Sequence, residues 1–150
     1  MILAAVGDTG YNIMLFVHIL LVMAAYAPAF VHPILSTQSK ALDTEQGKVL
    51  GFIAQNSQRI YSTALILAGL VGFGLVGMSD DAFSLGDGWL IAAILVWIAM
   101  NGVLHAIQIP AEKAWAAGDE SAEQKAQMGG GILTLLLLVM LYLMVFQPGA

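Results

Sequence analysis

A chain of 150 residues, 59% hydrophobic and only 10% charged, with mean hydropathy +0.85, is not a soluble domain. Soluble domains carry about 25% charged residues. The absence of cysteine excludes disulfides, thiolate metal sites and iron–sulfur clusters. A net charge of −5 and a pI near 4.8 argue against a nucleic-acid partner, which needs a basic patch.

The composition is that of an all-α polytopic membrane protein, a bundle of four transmembrane helices in one domain, with the lipid bilayer as its solvent. No Lys or Arg precedes Lys40, so Met1 to Ala5 lacks the basic start of a signal peptide. The first apolar segment, Tyr11–Leu35, is therefore expected to be retained as a transmembrane helix. Asp8 or Thr9 is placed to cap it. Pro28 removes a backbone hydrogen bond and should kink it, and Pro33 ends it or bends it again. The polar stretch 36–59 follows. Its second half, Lys48–Arg59, has apolar residues at helical spacing and reads as an interfacial extension of the next helix.

The second span is Ile60–Met78, with small residues at Ala64, Ala68 and Gly72 and glycines at 69, 74 and 77. Small residues at four-residue steps let helix backbones approach in lipid. The third span, Gly88–Ile109, repeats the pattern at Gly102 and Ala106, and Pro110 marks a bend as it leaves the membrane. Packing within the bundle is the expected role of both stripes, with packing on another subunit as the alternative. After the polar stretch 110–128, Ser121 and Gln124 have the spacing of a capping box that would start helix four early. The fourth span is Gly131–Phe146. Each span has roughly the 20 residues a bilayer crossing needs.

All five basic residues fall in two stretches on one side: Lys40, Lys48 and Arg59 in the first, Lys113 and Lys125 in the third. The other side holds Asp8, Asp80, Asp81 and Asp87. The positive-inside rule then puts both termini outside and 36–59 and 110–128 in the cytoplasm of a bacterial inner membrane.

The three histidines, His18, His32 and His105, all lie in these apolar segments. An ionisable group there costs roughly 2.5 kcal/mol or more on insertion scales, and such residues usually face the protein interior and act there. Trp97, Asn101, His105, Gln108 and Glu112 recur at steps that place them on one face of helix three. On helix one, His18 and His32 are fourteen residues apart, about 21 Å along the axis, so they cannot share a metal ion.

His32 and His105 sit at similar depths and could hold a haem b between them, with Arg59 and Lys113 near its propionates. His18 could bind a haem or metal alone, with Met14 or Met144 as a weak second ligand. The plainer alternative makes each histidine a hydrogen-bonding partner between helices, to Asn101, Ser62, Thr63 or a backbone carbonyl, with Asn101 and Gln108 in the same role. No nucleophile–base pair, paired carboxylates or phosphate loop is visible.

The segments Leu15–Tyr26, Ser57–Leu75 and Gly88–Ala114 resemble the four-helix integral membrane proteins grouped with copper-resistance D-like domains. They are more distantly similar to the haem-containing bacterial protoporphyrinogen oxidases. The resemblance implies a four-helix membrane fold, and it matches His18 to those families' first-helix histidine. Two functions are thus expected in competition. One is a non-catalytic accessory or scaffolding subunit of a larger respiratory or photosynthetic membrane complex. The other is a membrane redox protein holding haem b or a metal through His105, His32 or His18. An independent transporter is disfavoured, because four short helices without a broken pair leave little room for alternating access.

Overall fold

The computed structural model describes residues 6–41 and 45–149, and the side chains of 6–26, 58–115 and 117–149. Among them the chain is all-helical: α1 (Thr9–Ala41), α2 (Glu45–Gly77), α3 (Gly88–Val103), a π turn (Leu104–Gln108), α4 (Ile109–Ala116) and α5 (Ala122–Phe146). Four stretches are long and apolar enough to cross a bilayer: Thr9–Tyr26, Gln58–Gly77, Gly88–Trp115 and Ala122–Phe146. α3, the π turn and α4 together make the third.

The end of α1 and the stretch 36–59 differ from the sequence reading. α1 is unbroken through Pro28 and Pro33, and both α1 and α2 are 33 residues long. At 1.5 Å per residue each is about 50 Å, against a hydrocarbon core of about 30 Å. Stretch 36–59 is thus mostly helix, the two helices running on beyond the apolar region. Lys48–Arg59 is helical, as its spacing indicates. α5 begins at Ala122, early as the Ser121–Gln124 spacing indicates, and the glycines 129–131 lie inside it. Ser121 occupies the N-cap position, but no capping box forms. Its hydroxyl donates instead to Asp119 Oδ1 at 2.6 Å, and its N–H to the same oxygen at 3.0 Å. These bonds hold the Asp119 carboxyl below the usual carboxylate range.

α1 packs along α2, and α3, the π turn and α4 pack on α5; the two pairs meet between α2 and α3 and between α1 and α5. The shared core runs through all four spans: Ala25, Leu65, Ala93, Met100, Leu104 and Leu137 are its most enclosed members. On α5 the buried positions Ala122, Ala126, Gly129, Leu133, Leu137, Met140 and Leu143 repeat every three or four residues, one helical face. At the acidic end Tyr11 and Leu75 form a second cluster with Met14, Leu15, Met78 and Phe83. There Phe83 meets Trp89 edge-on at 5.7 Å. The connection after α2 is held by buried Ser79, whose Oγ donates to the Val76 carbonyl (2.8 Å) and accepts the Phe83 N–H (3.1 Å). Asp80 and Asp81 then take left-handed backbone, with φ of 50° and 65°, which aspartate tolerates better than most residues.

Candidate functional site

The polar side chains of the spans converge on α2, and its glycines explain how. In a helix, the carbonyl of residue i bonds the N–H of residue i+4, but the oxygen has a second lone pair. The side chain of residue i+4 normally crowds the approach to it. Gly69 and Gly72 stand four residues after Leu65 and Ala68, and both of those carbonyls take a second donor from another helix. Trp97 Nε1 donates to Leu65 O at 2.8 Å, and His18 Nδ1 to Ala68 O at 2.9 Å. A Cβ at Gly69 would fall inside the Trp97 indole, and one at Gly72 would lie 3.4 Å from His18 Cε1. Gly74 makes the same room for Met14, whose Cε would be 3.2 Å from an added Cβ. The small-residue stripe on α2 therefore packs within the bundle, with Ala64 and Ala68 each 5% exposed.

The Ala68 bond also fixes a tautomer. A carbonyl can only accept, so Nδ1 of His18 carries the proton and Nε2 of the neutral ring keeps its lone pair. A ring nitrogen held by a backbone carbonyl while the other stays basic is the arrangement found around metal-bound histidines. The half-buried His18 would be the residue to hold a haem iron or metal ion, through Nε2. Met14 is one turn away, against Gly74, whereas Met144 is 37% exposed on α5.

His105 is tied to α2 as well, through Nε2 and Ser62 Oγ at 3.2 Å. Ser62 lies six residues before Ala68, so the two histidines attach to α2 about 9 Å apart along its axis. The side chain of His32 lies outside the described ones, and with it the His32–His105 pairing. Arg59 and Lys113 are exposed at the basic end. Among the described residues no group of three or more His, Asp or Glu is placed to hold one metal ion.

The helix-three stripe does not keep one face. Pro110 has no N–H for the Ala106 carbonyl, and its ring would crowd that oxygen. The chain widens just before it: the Ile109 N–H reaches back five residues to Leu104 O, the mark of a π turn. The extra residue rotates the remainder of the helix. Trp97 and His105 face α2, while Gln108 faces α5, where its Oε1 lies against Gly129 and Gly130. Gln108 Nε2 donates to Glu112 Oε1, and Asn101 Nδ2 to its own helix at Trp97 O, 2.9 Å away. The oxygens Asn101 Oδ1 and Gln108 Oε1 are buried without a partner among the described residues. Buried Tyr61 lies within electrostatic reach of Tyr26 and Glu112, so three spans meet in a polar layer at the basic end.

Gly102 and Ala106 do not pack inside the bundle. Both are exposed, with open space where a Gly102 Cβ would stand. Gly69 and Gly72 read from sequence as small packing residues, but the side chains that they and Gly129 receive are not legible there, because those lie on other helices. The π turn had one local signal, a proline following a helical polar stripe. Comparison with known protein families, curated proteins and solved structures found no match.

Proposed function

We propose that the chain is a multi-pass protein of the bacterial inner membrane that serves as a non-catalytic accessory or scaffolding subunit of a larger membrane complex, respiratory or photosynthetic. The observation that carries this reading is where the polar groups of the spans go. His18 and Trp97 bind backbone carbonyls of the neighbouring helix, Asn101 and Thr134 bind carbonyls of their own, and Gln108 meets Glu112. The first two bonds lock neighbouring helices together, and the others are made within their own span. At most 28% of any spanning stretch is buried inside the chain, leaving broad apolar sides for lipid and neighbouring subunits. Purified in mild detergent, the protein should be colourless and should run with other membrane subunits.

A second reading has its own support. The Nδ1–carbonyl bond of His18 leaves Nε2 basic, and the family resemblance picks the same residue. On this reading His18 holds haem b or a metal. The purified protein then shows a Soret band that is lost in His18→Ala and kept in His105→Ala. The same preparation separates the two functions.

With the basic stretches inside, both termini are outside. The chain has no cysteine of its own, so Gln46→Cys gives a single label site at the start of α2. In intact cells it should resist a membrane-impermeant maleimide and react after permeabilisation. Labelling in intact cells would reverse the orientation.

A further inference from the structure

We infer that Glu112 is a proton-binding site: its carboxyl takes up a proton, the Gln108 carboxamide turns over to accept it, and Gln108 Nε2 then bonds the Lys125 carbonyl of α5. The inference goes beyond the accessory role and does not depend on it.

It starts from an oxygen where a donor is wanted. Gln108 Nε2 donates to Glu112 Oε1, which leaves Gln108 Oε1 buried against Gly129 with no partner among the described residues. An added Cβ at Gly129 would fall on that oxygen, as one at Gly69 would fall on Trp97 Nε1. At Gly69 the gap admits a donor to the carbonyl four residues earlier, and at Gly72 His18 does the same. Gly129 stands four residues after Lys125, whose carbonyl has the same open lone pair. The third gap thus receives an acceptor where the other two receive donors.

One rotation corrects both ends of the side chain. Turning the carboxamide over puts Nε2 in the gap, toward Lys125 O, and Oε1 toward Glu112. Two oxygens then face each other, and they bond only if the carboxyl carries a proton. The depth favours that form, because Glu112 lies within the third spanning stretch, where an ionised carboxylate is costly. Tyr61 of α2 lies within electrostatic reach of Glu112 and of Tyr26 of α1, and both phenols are neutral at ordinary pH. Arg59 of α2 and Lys113 of α4 are exposed, as is Lys125 of α5, which lies near Asp119. Glu123 of α5 accepts from Gln127 Nε2, and His105 of the π turn meets Ser62. As pH rises the proton leaves, Nε2 returns to the carboxylate and the bond to α5 is released. A proton therefore ties the end of the third span to α5.

Infrared spectra of the full chain in lipid vesicles test this. At neutral pH they should show the C=O stretch of a protonated carboxylic acid, shifted in heavy water, lost in Glu112→Gln and fading reversibly as pH is raised. Gly129→Ala closes the gap to Nε2, so its band should fade about one pH unit lower, the tenfold that one lost hydrogen bond represents. Gln108→Leu removes the acceptor and should move the frequency of the band. The backbone amide bands of the same spectra show that each variant is folded. No band at neutral pH, or a band kept in Glu112→Gln, overturns the proton site. A Glu112 band that keeps its midpoint in Gly129→Ala, or its frequency in Gln108→Leu, overturns the turning of Gln108.

Discussion

Gly69→Ala should destabilise the bundle by about 2 kcal/mol, although alanine is the better helix former. Its Cβ would enter the Trp97 indole, against Cε2, Nε1 and Cζ2. Overpacking of this kind costs about 1–3 kcal/mol. Displacing the ring also breaks the Trp97–Leu65 bond, and interhelical bonds in membranes are worth about 0.6–1.7 kcal/mol. Against this, glycine-to-alanine inside a helix gains roughly 1 kcal/mol, so the clash wins. Two of the three crowded atoms, Nε1 and Cε2, belong to the proximal ring, which phenylalanine would still fill, so Trp97→Ala is the change that empties the space. Trp97→Ala alone should lose both the hydrogen bond and the indole packing, and Gly69→Ala added to Trp97→Ala should cost almost nothing more. Gly131→Ala, with nothing within 4 Å, is the control that should hold or gain stability. Equilibrium unfolding in detergent of the four variants measures the coupling. Additive effects would mean that Trp97 does not lie on Gly69.

The joint matters because it is a place where the two helix pairs meet. α1 rests on α2 and α3 on α5, while α2 and α3 share a smaller contact in which Trp97 enters the Gly69 gap. Phe73 braces the indole from α2 with an edge-on contact at 6.1 Å. A membrane interior gives helices no hydrophobic reason to associate, so contact area and interhelical bonds set their arrangement. One tryptophan inserted over one glycine provides both.

The spans and their small-residue faces could be read from the chain because hydropathy and helical spacing are local properties. The depth of His18 and His105 followed from the same spacing, and both bonds found for them belong to the plainer reading, a hydroxyl at Ser62 and a carbonyl at Ala68. The partners themselves were not legible, since nothing near His18 in sequence names Ala68, fifty residues away. The single-face reading of helix three failed for a local reason. It assumed a constant turn through residue 108, and Pro110 imposes a wider one. The unbroken α1 is the reverse case. A kink at Pro28 and an end or second bend at Pro33 are the reading of its sequence, and the helix continues past both, as helices in membranes do when neighbouring groups satisfy the freed carbonyls.

The π turn can be tested through the contact that only it creates. In a regular helix Gln108 would stay on the face of His105, toward α2. With the extra residue it turns to α5, and a Cβ at Gly129 would fall on its Oε1. That oxygen ends a flexible side chain, so Gly129→Ala should cost only about 1 kcal/mol, most of it from disturbing the Gln108–Glu112 bond. Gly129→Val is different. The added Cβ already stands 3.5 Å from Gln108 Cα and 3.4 Å from Ile107 Cγ2, so branching methyls would meet backbone that cannot swing away. A loss of about 3 kcal/mol is expected, the upper end for overpacking. Gln108→Ala should therefore rescue Gly129→Ala almost fully and Gly129→Val hardly at all. Thermal unfolding of the double variants reads this difference. Independent effects at 108 and 129 would place Gln108 back on the α2 side and remove the π turn.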